Sequence, residues 1–400
     1  MKYLIVIGDG MGDYPVDSLG GRTPLDYAPT PRLDALAKRS LVGRVATIPE
    51  GMAPGSDVAI MSLMGYNPKG VLTGRGPLEA LALGVPLKES DVAFRMNLVT
   101  MEWGTHTIIR NHSAGDVTGE EAAELLDSLR ERMPLGDKSV HQGVSYRNLL
   151  LWPGAPEPLP SIPPHDYRDK PVDFLLDDPA NAPLVELLRA SWPILINHPV
   201  NQKRLSKGLP PANSIWLWGQ GRAPKVKSYA ERWGLTGATV SAVDIIRGLG
   251  LATGLKPLRI EGATGWLDTN YAGKAAAAVE SLKTGDLCVV HLEAPDETSH
   301  QGRLDQKLEA IERFDRQIVG PIVDALEAEK TDFRLLAACD HYTPLALKTH
   351  TADPVPFLLY DSRQSLDGPE RWHEAAAMPG PLVPDGPALA RLLFGPEKGA

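Results

Sequence analysis

The chain has 400 residues, 43% hydrophobic and 23% charged, with a net charge of −9. That supplies a sizeable core and is long for one domain, so about two domains are expected. No Lys/Arg run or basic stripe appears, which argues against nucleic acid as a partner. No apolar stretch approaches membrane-spanning length.

The opening run, Met1-Lys-Tyr-Leu-Ile-Val-Ile-Gly8, is too short for a signal h-region and leads into Gly-Asp-Gly, so cytoplasm is the expected compartment. Tyr3 to Ile7 has the apolar, β-branched character of a central strand buried on both faces. Asp9 follows at its carboxyl end, as a turn former or a ligand. Thr30-Pro31 predicts a helix through Ala37, with Pro in the first turn. The turn-rich stretch Pro49 to Asp57 runs into a helical segment, Val58 to Met64. Ser56 and Asp57 therefore fall at a predicted helix N-terminus. Spacing alone favours a capping role over a nucleophilic hydroxyl beside free N–H groups. In Thr73-Gly-Arg-Gly-Pro-Leu-Glu-Ala80, a turn leads into a helix. Arg75 there suits a bidentate contact to carboxylate or phosphate, or an ordinary salt bridge.

From about Asp91 the texture changes to short alternating segments, an acidic helix over Thr118 to Arg132, a strand pair over His141 to Trp152, and dense proline from Pro153 to Pro171. A smaller α+β domain, 89–180, inserted into a core of 1–88 and 181–400 is expected. Its polar groups are Arg95, Asn97, Arg110, Asn111, His112, Arg147, His165 and Asp166. Singly these are surface decoration; gathered at a cleft they could grip an anionic substrate.

Asn181 to Asn197 is predicted as an apolar helix returning to the main domain. Asn213 to Gly221 reads as strand then turn, Ala238 to Gly250 as strand and helix, and Ala275 to Lys283 as a helix. Leu287 to Leu292 is a buried strand. Asp296 and His300 follow it, one helical turn apart. One scaffold helix is expected over Leu304 to Lys330, and the tail beyond Asp361 at the surface. Cys288 and Cys339 lie in apolar strand-like runs and read as small core residues. Phe333 to Ala338 is another buried strand, ending at Asp340-His341, with His350 in the Thr- and Pro-rich loop beyond.

Asp9, Asp296 with His300, Asp340 with His341, and His350 thus gather at one predicted sheet edge, where open α/β sheets keep their sites. These Asp and His residues exceed the needs of one divalent ion and suit two, as in phosphoryl transfer. The absence of thiolate from the set favours Mn²⁺, Mg²⁺ or Zn²⁺, with Co²⁺ also compatible. A metal that lowers its pKa would make Ser56 a nucleophile.

With these residues in view, the chain resembles the cofactor-independent phosphoglycerate mutases of the archaeal type, a branch of the alkaline phosphatase superfamily. The resemblance runs through nearly the whole chain. It rests on Gly8-Asp-Gly-Met-Gly-Asp13, Pro54-Gly-Ser-Asp57, Thr73 to Ala80, Phe94-Arg-Met-Asn97, Glu261-Gly-Ala-Thr-Gly265, Asp296-Glu-Thr-Ser-His300, Asp340-His341 and Lys348 to Pro356. It implies an α/β fold with a mostly parallel, alkaline phosphatase-like sheet flanked by helices and a smaller inserted α+β domain. Ser56 would become phosphoserine. Asp9, Ser56, Asp340 and His341 would hold one divalent ion, and Asp296, His300 and His350 another, with Mn²⁺ the expected metal. The insert would close over a small phosphorylated substrate, with Arg95, Arg110 and Arg147 as anion contacts. A homo-oligomer is compatible with the sequence.

One run departs from the family pattern. Where such mutases carry an Asp-Arg-Arg-Ala-Gly-Arg-like sequence, this chain has Asn111-His-Ser-Ala-Gly-Asp116. That run resembles a bacterial subgroup proposed as homoserine kinases. The alternatives are therefore a homoserine kinase-like phosphotransferase, a phosphate- or sulfate-ester hydrolase on the same site, or a non-enzymatic metal-binding protein. A structural site would not need surplus ligands beside a serine.

Overall fold

The computed structural model describes residues 1–156 and 161–398. The chain divides into two compact units, Met1–Leu72 with Lys225–Ala400, and Thr73–Pro224. The inserted unit is wider than the expected 89–180. Its central strand, Asp91–Glu102, is too long for the expected partners alone. It pairs antiparallel with Arg147–Pro153, with Ile108–Asn111 and with Ser214–Gly221. The last of these brings residues after 180 into the insert. The apolar helix Ala182–Leu195 comes with it: Leu184, Leu187, Leu188, Ile194 and Leu195 are buried in the same core as Phe94, Leu125 and Trp216. That helix does not return to the main unit. The acidic helix begins after Thr118, whose side chain and Glu121 form a reciprocal capping box, so it starts where the sequence places it. Within the Pro-dense run, residues 157–160 lie outside the described residues.

Among the described residues, the larger unit has an eight-stranded mixed sheet. In order across the sheet its strands are Leu382–Val383, Leu41–Val45, Val355–Asp361, Phe333–Cys339, Lys2–Gly8, Leu287–Leu292, Gly237–Val240 and Lys256–Leu258. The five from Phe333–Cys339 to Lys256–Leu258 run parallel; Val355–Asp361 is antiparallel to both its neighbours. The central three are buried and mostly apolar, as suits strands covered on both faces. Their register places Gly8 beside both Leu292 and Cys339. Asp9, Glu293 and Asp340 therefore leave the sheet side by side at the carboxyl edge.

The expected single helix over Leu304 to Lys330 is three segments: Leu304–Arg313, a π turn over Phe314–Val319, and Gly320–Ala328. The π turn directs the buried Asp315 at the start of the helix Pro31–Ala37, where its oxygens accept from the backbone N–H groups of Arg32 (3.1 Å) and Leu33 (2.7 Å). The tail does not lie on the surface. Its Pro and Gly content masks apolar residues that pack inward: Trp372, Ala377, Leu389 and Leu393 are buried, and Leu382–Val383 adds a strand to the sheet. Cys288 and Cys339 are free and fully buried, as expected. No helix of the described residues is long and apolar enough to cross a membrane.

Candidate active site

Every ligand predicted at the carboxyl edge arrives in one cluster within the larger unit. Asp9 leaves the first strand with its N–H on the Leu292 carbonyl. Gly10 must follow, because its φ is +62° and a Cβ there would lie 2.6 Å from Asp296 Oδ1. Asp340 Oδ1 accepts from Gly10 N (3.0 Å) and from His341 N (2.8 Å). These bonds fix the carboxylate so that Oδ2 points the other way. His341 is fully buried. Its Nε2 lies 3.3 Å from Asp340 Oδ2, 3.6 Å from Asp9 Oδ1 and 3.3 Å from Ser56 Oγ.

Ser56 is the first residue of the helix Ser56–Leu63 and not its cap. Gly55 occupies the cap position, and no side chain caps the helix. The capping reading that spacing favours is thus replaced: the Ser56 hydroxyl is turned to His341. Asp296 and His300 share the short helix Ala294–His300, with Asp296 Oδ2 3.2 Å from His300 Nε2. His350 Nε2 lies 2.9 Å from His300 Nε2 and 3.4 Å from Asp296 Oδ1. His300 Nδ1 donates to the Lys348 carbonyl (2.9 Å), which orients the ring so that Nε2 faces Asp296 and His350. Lys348 holds φ at +55°, a conformation uncommon outside glycine, in presenting that carbonyl.

The sequence reading missed His291, which sits inside an apolar strand and looks like core. It is buried, and its Nε2 lies 2.8 Å from Asp9 Oδ2 while Nδ1 lies 3.1 Å from Ser241 Oγ. A neutral His291 that donates through Nε2 to the Asp9 carboxylate accepts at Nδ1 from the Ser241 hydroxyl, which itself accepts from Val243 N (3.0 Å). Burial, with the Lys274 charge, pushes His291 down to about 3, so it stays neutral. The only advance signal was a histidine two residues before Glu293 at a strand end. Thr343 was missed too: its Oγ1 contacts both Asp296 Oδ1 (2.6 Å) and His341 Nδ1 (3.2 Å).

The cluster has the electrostatics of a cation site. Asp9 Oδ1 and Asp340 Oδ2 are buried and accept no hydrogen bond from the described residues. Such orphans are costly unless something positive meets them. Burial, then the charges of Asp340, Asp296 and Glu293, push Asp9 well above the usual carboxylate range. Burial also raises Asp296, but hydrogen bonds from His300 and His350 outweigh it and hold that carboxyl well below its usual range. The hydrogen bond to Asp296 lifts His300 to about 9. Asp296, His300 and His350 bring ligand atoms within 4.8 Å of one another, and so do Asp9, Asp296 and His341. Asp296 is thus within reach of both groups, where the sequence assigned it to one. The donor set fits divalent cations.

The inserted unit gathers a second cluster. Arg95 is buried, lies 2.9 Å from Glu79, and stacks 4.3 Å over the Trp218 ring. His165 meets the same ring edge-on at 5.5 Å and His112 at 6.1 Å. Asn97 accepts from Trp218 Nε1 (3.0 Å) and donates to the His112 carbonyl (3.1 Å). Burial lowers His165; Asp166 opposes this, while the charges of His112, Arg75 and Arg95 add to it. Arg147 acts on Arg95 in the same sense and lies 5.6 Å over the Tyr146 ring. The glycines flanking Arg75 are needed because Cβ atoms there would strike the backbone of Gln220 (2.1 Å) and Ala93 (2.2 Å). Two predicted contacts are otherwise engaged. Arg110 is exposed and paired with Glu102 (2.7 Å) and Asp169 (3.1 Å). Asn111 Oδ1 closes a turn by accepting from Ser113 N (2.9 Å) and Oγ (3.0 Å).

Carboxylates, imidazoles and a helix-terminal serine hydroxyl, converging at the carboxyl edge of a mixed α/β sheet, define a candidate phosphoryl-transfer centre. Residues 37–201 match the family model described as 2,3-bisphosphoglycerate-independent phosphoglycerate mutase. A relative of that name from Methanothrix thermoacetophila is 45% identical over 98% of this chain and 100% of its own length. A solved Pyrococcus horikoshii protein superposes with a TM-score of 0.82 at 30% identity, covering 98% of this chain and 96% of that one. The cofactor-independent phosphoglycerate mutase of Thermoplasma acidophilum gives 0.64 at 27%, covering 98% and 99%. The chain belongs to the 2,3-bisphosphoglycerate-independent phosphoglycerate mutases.

Proposed function

We propose that the protein interconverts 3-phosphoglycerate and 2-phosphoglycerate through a phosphoserine on Ser56, with divalent cations bound. The observation that carries this is the convergence of Asp9, Asp340 and the Ser56 hydroxyl on His341 Nε2, with two carboxylate oxygens left unpaired. Asp9, Ser56, Asp340 and His341 would hold one cation, and Asp296, His300 and His350 the other, with Mn²⁺ the proposed metal. Bound cations would lower the serine pKa and offset charge developing on the phosphoryl oxygens.

The protein's own groups then have defined tasks. The Ser56 hydroxyl loses its proton and forms a bond to phosphorus. The bond from phosphorus to the substrate's 3-oxygen breaks, and that oxygen takes a proton. Glycerate turns, its 2-hydroxyl loses a proton and bonds to phosphorus, the bond from phosphorus to Ser56 Oγ breaks, and Ser56 regains a proton. Water must be excluded meanwhile, or the phosphoserine hydrolyses. Arg75, Arg95, Arg147, His112 and His165 are the proposed contacts for the substrate's anionic groups. His112 supports this reading: although the Asn111–Asp116 run lacks the family's arginines, its ring lies against His165, which the Arg75 and Arg95 charges reach.

The test follows ³¹P NMR of 3-phosphoglycerate with protein and Mn²⁺. Accumulation of 2-phosphoglycerate without free phosphate is expected. Steady release of phosphate would make the protein a hydrolase. Absence of any turnover would overturn the mutase assignment and turn attention to another phosphoryl acceptor, homoserine included.

A further inference from the structure

One hydroxyl serves both ligand groups of the candidate centre. Thr343 Oγ1 lies 2.6 Å from Asp296 Oδ1 and 3.2 Å from His341 Nδ1. A hydroxyl owns a single proton, and an ionised carboxylate owns none. The short contact is therefore Thr343 donating to Asp296. The longer one is then His341 Nδ1–H donating to Thr343. That leaves a lone pair on His341 Nε2, the atom facing Asp9 Oδ1, Asp340 Oδ2 and Ser56 Oγ.

The alternative tautomer has a strong claim on the proton. Asp340 Oδ2 and Asp9 Oδ1 are unpaired and lie 3.3 and 3.6 Å from Nε2. Without an acceptor at Nδ1, the imidazole proton would move to Nε2 and point at those oxygens. An Nε2 bearing a proton has no lone pair for a cation. Thr343 is fully buried, so solvent does not replace its hydroxyl. Its backbone is anchored independently, N–H to the Gly12 carbonyl (3.1 Å) and carbonyl to Lys307 Nζ (3.1 Å).

We propose that Thr343 is a positioning residue that keeps the proton off His341 Nε2 while holding Asp296, so that it prepares both cation sites at once. The inference rests on the cation-dependent reading above. Its test begins without metal. ¹⁵N NMR of histidine-labelled protein, with His341 assigned by His341→Gln, should show the Nδ1–H tautomer in the native chain. In Thr343→Val, matched in shape but lacking the hydroxyl, the proton should shift to Nε2. Mn²⁺ affinity by titration calorimetry should fall about tenfold or more, the usual scale for losing a ligand's supporting hydrogen bond. Thr343→Ser should restore both readouts.

A native Nε2–H tautomer, or a Val variant whose tautomer and Mn²⁺ affinity are unchanged, overturns the inference. So does a Ser variant as weak as Val, since packing would then be the cause. A native chain with the expected tautomer that binds no Mn²⁺ would leave the proton assignment standing and sink the cation reading.

Discussion

In the sheet unit, Asp9, Asp296 and Asp340 crowd around imidazoles with carboxylate oxygens left unpaired. In the inserted unit, Arg95 and the imidazoles of His112 and His165 are stacked on Trp218 and on one another, with Glu79 the carboxylate paired to Arg95. The first cluster leaves carboxylate oxygens without partners, whereas in the second Glu79 matches Arg95 and burial lowers the pKa of His112 and His165. The means of support differ as well. Strand ends and backbone N–H groups fix the acidic cluster, whereas ring faces fix the basic one. Substitutions in the two should fail in different ways.

The sharpest break is Ser56→Ala. Turnover should fall about 10⁴-fold or more, on the scale seen when a nucleophile is removed. Mn²⁺ binding by calorimetry should persist through the remaining ligands. Retained mutase activity would remove Ser56 from the chemistry altogether. Next, His112→Ala combined with His165→Ala should cost about 100-fold in kcat/KM, about 2.7 kcal/mol, mostly through KM and without altering metal affinity. An unchanged KM would separate the basic cluster from substrate binding.

A further carboxyl sharpens the contrast, because its environment raises its pKa away from the ligands. Burial lifts Glu374 to about 7, against hydrogen bonds from Thr23 and from the Asp13 N–H. The folded protein therefore holds that proton when the unfolded chain has lost it. Stability present below pH ~4.5 is lost as pH rises through ~7, by about 3 kcal/mol. Denaturant midpoints at pH 5 and pH 8 should differ accordingly in the native chain, and Glu374→Gln should flatten the difference. The smallest effect is expected at Asp315→Ala, which strips the cap from Pro31–Ala37: about 1 kcal/mol in stability, with kcat unchanged.

Much of the acidic cluster was legible because its ligands follow apolar runs that end abruptly. A strand buried on both faces leaves little doubt where its carboxyl end lies, so Asp9 and Asp340 could be placed from the chain alone. His291 was hidden by the same logic, since a histidine inside Leu287–Leu292 reads as core until Asp9 is seen 2.8 Å away. Spacing alone favours a capping Ser56, because small polar residues before a helix usually cap it, and here Gly55 takes that position. The insert's limits were drawn too narrow for a different reason. Apolar periodicity in Ala182–Leu195 announces a buried face and says nothing of which core buries it. The tail was misplaced because Pro and Gly outnumber the few residues, such as Trp372 and Leu393, that anchor it.

The two cysteines offer a use beyond packing. Burial raises Cys288 to about 12 and Cys339 well above its ordinary value, so neither thiol is reactive while the sheet is closed. Cys339 immediately precedes Asp340, and Cys288 lies three residues before His291. A thiol reagent thus becomes a clock for each strand, counting how often it opens. Any ligand that fastens Asp340 or Asp9 should slow that clock in proportion to how tightly it holds the closed form.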